Sequence, residues 1–230
     1  MKYFILTVLS ICCFSNTNAQ LYSYNANDFK TIIHSIDTIG LLNPTVYIVS
    51  KDQNNYCLVD TTISCKTSDT LRYSVTNLLR KKYTIQKVAN STIPTDSSIK
   101  TINTFINNIE KNTTLDKEII IPTEIYNFDQ STYRYNLINI IAGMYSTKEF
   151  RKKQEKEMMP KTIAVGLLSL GMIMITPNDP SYAVLKIILY DKVEHRILYY
   201  RSVPTSPVIA SEYRLLNDVV MRNFKSLYYK

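Results

Sequence analysis

The chain has 230 residues, 27 Lys+Arg against 19 Asp+Glu for a formal net charge of +8, four glycines, two histidines, and eighteen tyrosines with no tryptophan. Four scattered glycines exclude a glycine-rich phosphate loop, and two histidines outside any H-E-x-x-H spacing exclude that class of zinc site. No cofactor or metal motif is present, so the chemistry available is that of surfaces and buried side chains.

Lys2 precedes an apolar run from Tyr3 to Phe14, and a polar tail closes on Thr17-Asn18-Ala19 before Gln20. These are the three parts of a secretory signal peptide. We expect residues 1–19 to be removed on export and residues 20–230 to form a single domain. Its compartment would be the periplasm, the periplasmic face of the outer membrane, or the extracellular space. The signal carries Lys2 and no acid, so the mature chain keeps 26 Lys+Arg against 19 Asp+Glu. Outside the cytoplasm the anionic partners of such a chain are lipid head groups, lipopolysaccharide or acidic glycans, not nucleic acid. The plainer reading is a solvated basic surface. Cys12 and Cys13 fall inside the signal; Ile11 stands where a lipoprotein signal needs a small residue, which favours cleavage after Ala19 over lipidation.

Past the signal, Thr45 to Ser50 is β-branched and aromatic after Asn43-Pro44 and predicts an opening strand. Between it and the next helix lie Cys57 and Cys65, eight positions apart, which a short loop or hairpin would bring within bonding distance. An oxidising compartment makes them a structural disulfide candidate. Ser68-Asp69 supplies cap chemistry for a helix whose Leu71, Val75, Leu78, Leu79 and Tyr83 share one face, closed by Arg80, Lys81 and Lys82. Thr84 to Val88 reads as a strand. Thr95-Asp96-Ser97 opens an amphipathic helix on Ile99, Ile102, Phe105, Ile106 and Ile109, and Glu118 to Ile121 returns as a strand ended by Pro122.

Tyr133 to Tyr145 fits neither helical nor strand periodicity cleanly and is assigned to a strand. Thr147 to Lys161 places opposite charges four apart (Glu149 and Lys153, Arg151 and Glu155), the pattern of a solvated helix. Thr162 to Ile175 is an apolar run of fourteen residues, short of the ~20 needed to span a bilayer, and is expected in the core. Tyr182 to Tyr190 and His195 to Val203 form a hairpin across Asp191-Lys192-Val193-Glu194. A final helix from about Ser211 carries the stripe Leu216, Val219, Val220, Phe224 and Leu227.

The catalytic inventory is thin. His34 and His195 have no evident nucleophile beside them. Gly166-Leu-Leu-Ser169-Leu-Gly171 has Leu167 where a nucleophile elbow requires glycine. Asp52, Asp60, Glu124 and Asp129 have no spacing that pairs them as glycosidase carboxylates. The tyrosines would serve a glycan-stacking or interaction surface, or line the edge of a core.

The order of elements, together with Tyr133-Arg-Tyr-Asn-Leu-Ile-Asn and the pair Tyr182-Ala-Val-Leu-Lys-Ile-Ile-Leu-Tyr-Asp191 and Ile197-Leu-Tyr-Tyr200, resembles the TolB amino-terminal-domain type, which also occurs in curli-pore-like envelope lipoproteins. Asp191 and Tyr199-Tyr200 match the late strand pair of that type, while Lys192 to Glu194 lack its Thr-Gly turn. The resemblance implies an α/β fold, a single domain with a mixed β-sheet, packed helices and a C-terminal helix. It carries no catalytic residues and implies an assembly or transport role through envelope protein partners. The competing expectation is a small exported hydrolase whose site residues are scattered in sequence.

Overall fold

The structure, a computed structural model, describes residues 22–88, 104–111, 119–121, 131–157, 181–205 and 213–228. The signal peptide, the apolar run 162–175 with Ser169, and Glu124, Asp129 and Glu212 lie outside the described residues. Within them the fold is α/β, with helices packed on one mixed sheet, as expected.

Its centre is β6 (Tyr135–Ser146). Along one edge β6 pairs antiparallel with β7 (Tyr182–Asp191), from Tyr135↔Asp191 to Met144↔Tyr182. Antiparallel β8 (Arg196–Thr205) and then β1 (Tyr22–Asn25) follow outward. The other edge is shared. β2 (Thr38–Leu42) pairs parallel with the start of β6, and β3 (Thr45–Lys51) with its remainder. Beyond them lie β5 (Thr84–Val88), parallel to β2, and β4 (Cys57–Val59), antiparallel to β3.

β6 is covered on both faces, which is why its sequence shows no clean alternation. Leu137 and Ile141 point into a core built with Phe29 and Ile33 of α1 (Phe29–Ser35), Leu71, Val75, Leu78 and Leu79 of α2 (Thr61–Leu79), and the C-terminal helices. Ile138 and Ile140 point the other way, into a second cluster roofed by Phe105, Ile106 and Ile109 of α3 (residues 104–111). Helix α4 (residues 148–157) is mostly exposed, as its charge pattern predicts.

Three expectations need correction. Helix α2 begins at Thr61, not after Ser68-Asp69: the Asp60 side chain accepts the Ile63 N–H at 2.8 Å and caps it. Its β-branched opening, Thr61-Thr62-Ile63, and the buried Ser64, Thr67 and Ser74 interrupt the apolar stripe that marks a helix. Of the expected strand Glu118 to Ile121, residues 119–121 are described and contribute a single bridge, Ile120↔Arg196. Residues 22–42, to which the sequence reading gave no element, hold β1, α1 and β2. The spacing of Phe29, Ile32, Ile33 and Ile36 is the signal that was available.

The C-terminal stripe sits in the core. Leu216 and Val220 of α5 (Tyr213–Asn223), Phe224, and Leu227 of α6 (Lys225–Tyr228) are fully buried. The Leu227 carbonyl at the end of α6 accepts hydrogen bonds from the Tyr83 hydroxyl and, at 3.4 Å, from Lys82 Nζ. Lys81 stands 5.9 Å above the Tyr228 ring. The basic run that follows α2 therefore also neutralises the carbonyl end of α6. Glycine is required at Gly143, where a Cβ would stand 2.7 Å from the Tyr182 carbonyl oxygen and 2.9 Å from the Ala183 Cα.

Phe224→Ala should cost ~3–5 kcal/mol and exposed Arg222→Ala less than about 0.5 kcal/mol, read by thermal unfolding. Equal stability of the two variants would mean that the helix is not a core element. Burial holds the Tyr83 hydroxyl protonated, its pKa pushed up to about 12 from 10.0. A raised pKa contributes stability that is complete below the unfolded value and lost as pH climbs through the folded one. Stability against denaturant should therefore fall between about pH 10 and 12. Tyr83→Phe should reduce that slope, to which Tyr145, Tyr199 and Tyr200, also raised, contribute; an unchanged slope would show that Tyr83 has no part in it.

Candidate functional site

On the face beneath α3, the middle of β7 carries a lysine among aliphatic residues. Lys186 Nζ meets Glu110 Oε1 of α3 at 2.6 Å, and the Tyr200 hydroxyl donates to the same oxygen at 2.7 Å. Sheet register places buried Ser202 directly across from Lys186, and Tyr22 beyond it on β1. The Lys186 and Glu110 side chains keep 17% and 20% of their exposure, so water reaches them, while Tyr200 is fully buried. Next along the same face lie exposed Ala142 and Pro204 and half-buried Val184 and Tyr47. An open apolar floor thus ends at a fixed set of polar groups.

The electrostatics suit binding better than proton transfer. Burial raises the Tyr200 pKa first, and the Glu110 charge and hydrogen bond raise it further, so the phenol remains a donor. Glu110 is held by two donors and Lys186 is neutralised by a carboxylate. Each group is committed to another and none is poised as a nucleophile or base.

A second polar cluster closes the β7–β8 hairpin. Asp191, fully buried, accepts the Arg134 Nε at 2.9 Å and its Nη2 at 2.8 Å, and caps the turn through the N–H groups of Val193 (2.9 Å) and Glu194 (3.2 Å). Arg196 pairs with Asp28 at 2.6 Å, and this bond lowers the Asp28 pKa. The turn requires one residue in the left-handed region, and His195, at φ 53°, takes the position a glycine would otherwise fill. Asp191 is therefore an organiser of the turn.

The sequence candidates fall elsewhere. His34 is exposed in the last turn of α1 and His195 is exposed in the hairpin. Asp52 caps the β3–β4 turn through the N–H groups of Asn54 (2.8 Å) and Tyr56 (2.9 Å). Asp60 caps α2 and accepts the Tyr145 hydroxyl at 2.6 Å, which together hold its pKa below the usual value. Cys57 lies in β4 and Cys65 in α2, so the segment joining them is a strand end followed by a capped helix, where a loop or hairpin was expected, and no disulfide joins them in this structure. Among the described residues no group of His, Cys, Asp and Glu is arranged to hold a metal ion, and no helix is long and apolar enough to cross a membrane. Sequence reasoning missed Glu110 and Lys186. A lone cation inside Ala183-Val-Leu-Lys-Ile-Ile-Leu-Tyr190 was the signal, since it demands a buried partner.

No family model matches the chain, and no curated protein matches it. Among solved structures it is similar to two of the PelC dodecamer from Paraburkholderia phytofirmans. Both have 8% sequence identity. One has a TM-score of 0.37, covering 91% of this chain and 98% of that one; the other has 0.38, covering 92% and 98%. Scores this low carry no argument about function.

Removing the Glu110 partner should expose the cost of this arrangement. Glu110→Leu leaves the partly buried Lys186 ammonium and the fully buried Tyr200 without this acceptor, and should lose roughly 2–4 kcal/mol in denaturant unfolding. The double variant Glu110→Leu/Lys186→Met should recover a large part of that loss. Failure of the second substitution to recover stability would mean that the ion pair is not what ties α3 to the sheet.

Proposed function

We propose that this chain is an exported, non-enzymatic protein of the bacterial envelope that acts as a scaffold or accessory in assembly or transport by binding another protein. The observation that carries the reading is the exposed apolar rim of the sheet at β4. Leu58 and Val59 of β4 are 56% and 40% exposed, Tyr56 just before the strand is 62% exposed, and β4 pairs only with β3 among the described strands. Scattered exposed apolar residues are ordinary, but a run of them on a strand edge offers both side chains and backbone groups to another chain.

The rim is held in place. Asp52 fixes the turn that precedes it, Asp60 caps the helix that follows it, and Lys153 of α4 donates to the Gln53 carbonyl at 3.1 Å. A preorganised edge loses little entropy on binding. The signal-like residues 1–19 support export, which would also place Cys57 and Cys65 in a compartment that favours their oxidation. The likeness of the β7–β8 hairpin to the TolB amino-terminal type belongs to the same reading.

Leu58→Lys puts a charge on the rim at a position more than half exposed, so folding should be unchanged within about 0.5 kcal/mol. The protein partner that co-purifies from the native envelope with the parent should be lost with the variant. Retention of the same partner by a variant that carries the charge would sink the β4 rim as the contact.

A further inference from the structure

β6 changes partners in its lower half. Gly40↔Asn136 and Leu41↔Leu137 belong to β2, and pairing resumes at Thr45↔Ile140 with β3. Three residues, Leu42 to Pro44, therefore face two, Ile138 and Asn139, and the ladder is interrupted as at a bulge. Stepping back one residue along both parallel strands from Thr45↔Ile140 sets Asn139 opposite Pro44, which has no N–H to offer.

Helix α2 crosses this break. Ser64 Oγ accepts the Ile48 N–H at 3.1 Å, and one turn later Ser68 Oγ donates to the Pro44 carbonyl at 3.1 Å. Thr67, beside Ser68, points inward with no exposure. Asn139 lies on the same side of the sheet, the side of Leu137 and Ile141 that faces α2. Both Oδ1 and Nδ2 of Asn139, which is also fully buried, and Oγ1 of Thr67 find no hydrogen-bond partner. An amide stripped of water and left unpaired costs on the order of 1–3 kcal/mol per group, and proteins rarely leave such groups unpaired.

We infer that this break is a binding site for internal water, one molecule seated between Asn139, Thr67 and the Asn43–Pro44 bend. Asn139 supplies an acceptor and a donor and Thr67 a hydroxyl that serves as either, so the site presents the two to four polar partners that a buried water takes. The water bridges the sheet to α2 where β6 is paired with β7 but with neither β2 nor β3.

The mature full-length protein tests this in two ways. A high-resolution crystal structure should show ordered density within hydrogen-bond distance of Asn139 and Thr67. An Asn139 amide bonded directly to protein atoms, or a dry void, overturns the inference. Near-isosteric Asn139→Leu and Thr67→Val should each lower the Tm by roughly 3–8 °C, because a bridged network loses its water and strands the remaining group. If the site is dry, the same substitutions remove an unpaired polar group, and an unchanged or higher Tm overturns the inference. A Leu variant that fails to fold leaves the parent crystal structure and Thr67→Val to decide.

Discussion

The whole arrangement depends on burying both faces of one twelve-residue strand. β6 places Leu137 and Ile141 on one side and Ile138 and Ile140 on the other. A strand in that position must find a hydrogen-bonded neighbour on each edge and a helix layer over each face, or it exposes backbone and apolar side chains together. The long antiparallel β7 satisfies one edge. The other is met by two successive strands, and each helix is placed by the face that it covers. Loss of the α5–α6 stripe would therefore open the same core that α1 and α2 close.

Polar groups recur wherever this burial would leave the chain unsupported. Asp191 organises a hairpin whose left-handed residue is a histidine, Asp60 joins the start of α2 to Tyr145 of β6, and Glu110 ties α3 to Lys186 and Tyr200. Each connects elements far apart in sequence through a side chain buried enough for its hydrogen bond to count. Such links favour one register and one helix placement, because a shift by a single residue would strand a charge or an amide in the core.

The hairpin, the C-terminal stripe and the solvated α4 were legible in the sequence, because each is a local pattern: a β-rich pair around a polar turn, an apolar residue every three or four positions, alternating charge. What was not legible depends on partners distant in sequence. Asp60 reads as an ordinary acid until Ile63 and Tyr145 are beside it. Lys186 reads as an exception in an apolar strand until Glu110, seventy-six residues earlier, is found above it. The start of helix α2 was not legible because its buried serines and threonines look like surface residues, and their burial is a property of the sheet beneath them. The candidate site was thus the least legible part: none of its polar groups belongs to a motif.

The division of the β6 edge also explains where the exposed rim lies. One long strand beside β6 would have offered a single continuous edge of seven or more unpaired positions, a template for uncontrolled association. Interruption at Asn43-Pro44 lets β2 take a parallel neighbour, β5, while β3 takes an antiparallel one, β4, so two short edges replace a long one. β5 ends that side with polar Gln86 and Lys87 exposed. Among the described strands β4 ends it with Leu58 and Val59, next to exposed Tyr56. The two halves of one sheet edge therefore differ in chemistry: the first discourages pairing through charge, and the second, only three residues long, limits pairing by length while presenting apolar side chains. An edge of that kind restricts partners to those that bring matching apolar side chains as well as backbone, because three residues of ladder alone supply too few hydrogen bonds to hold a second chain.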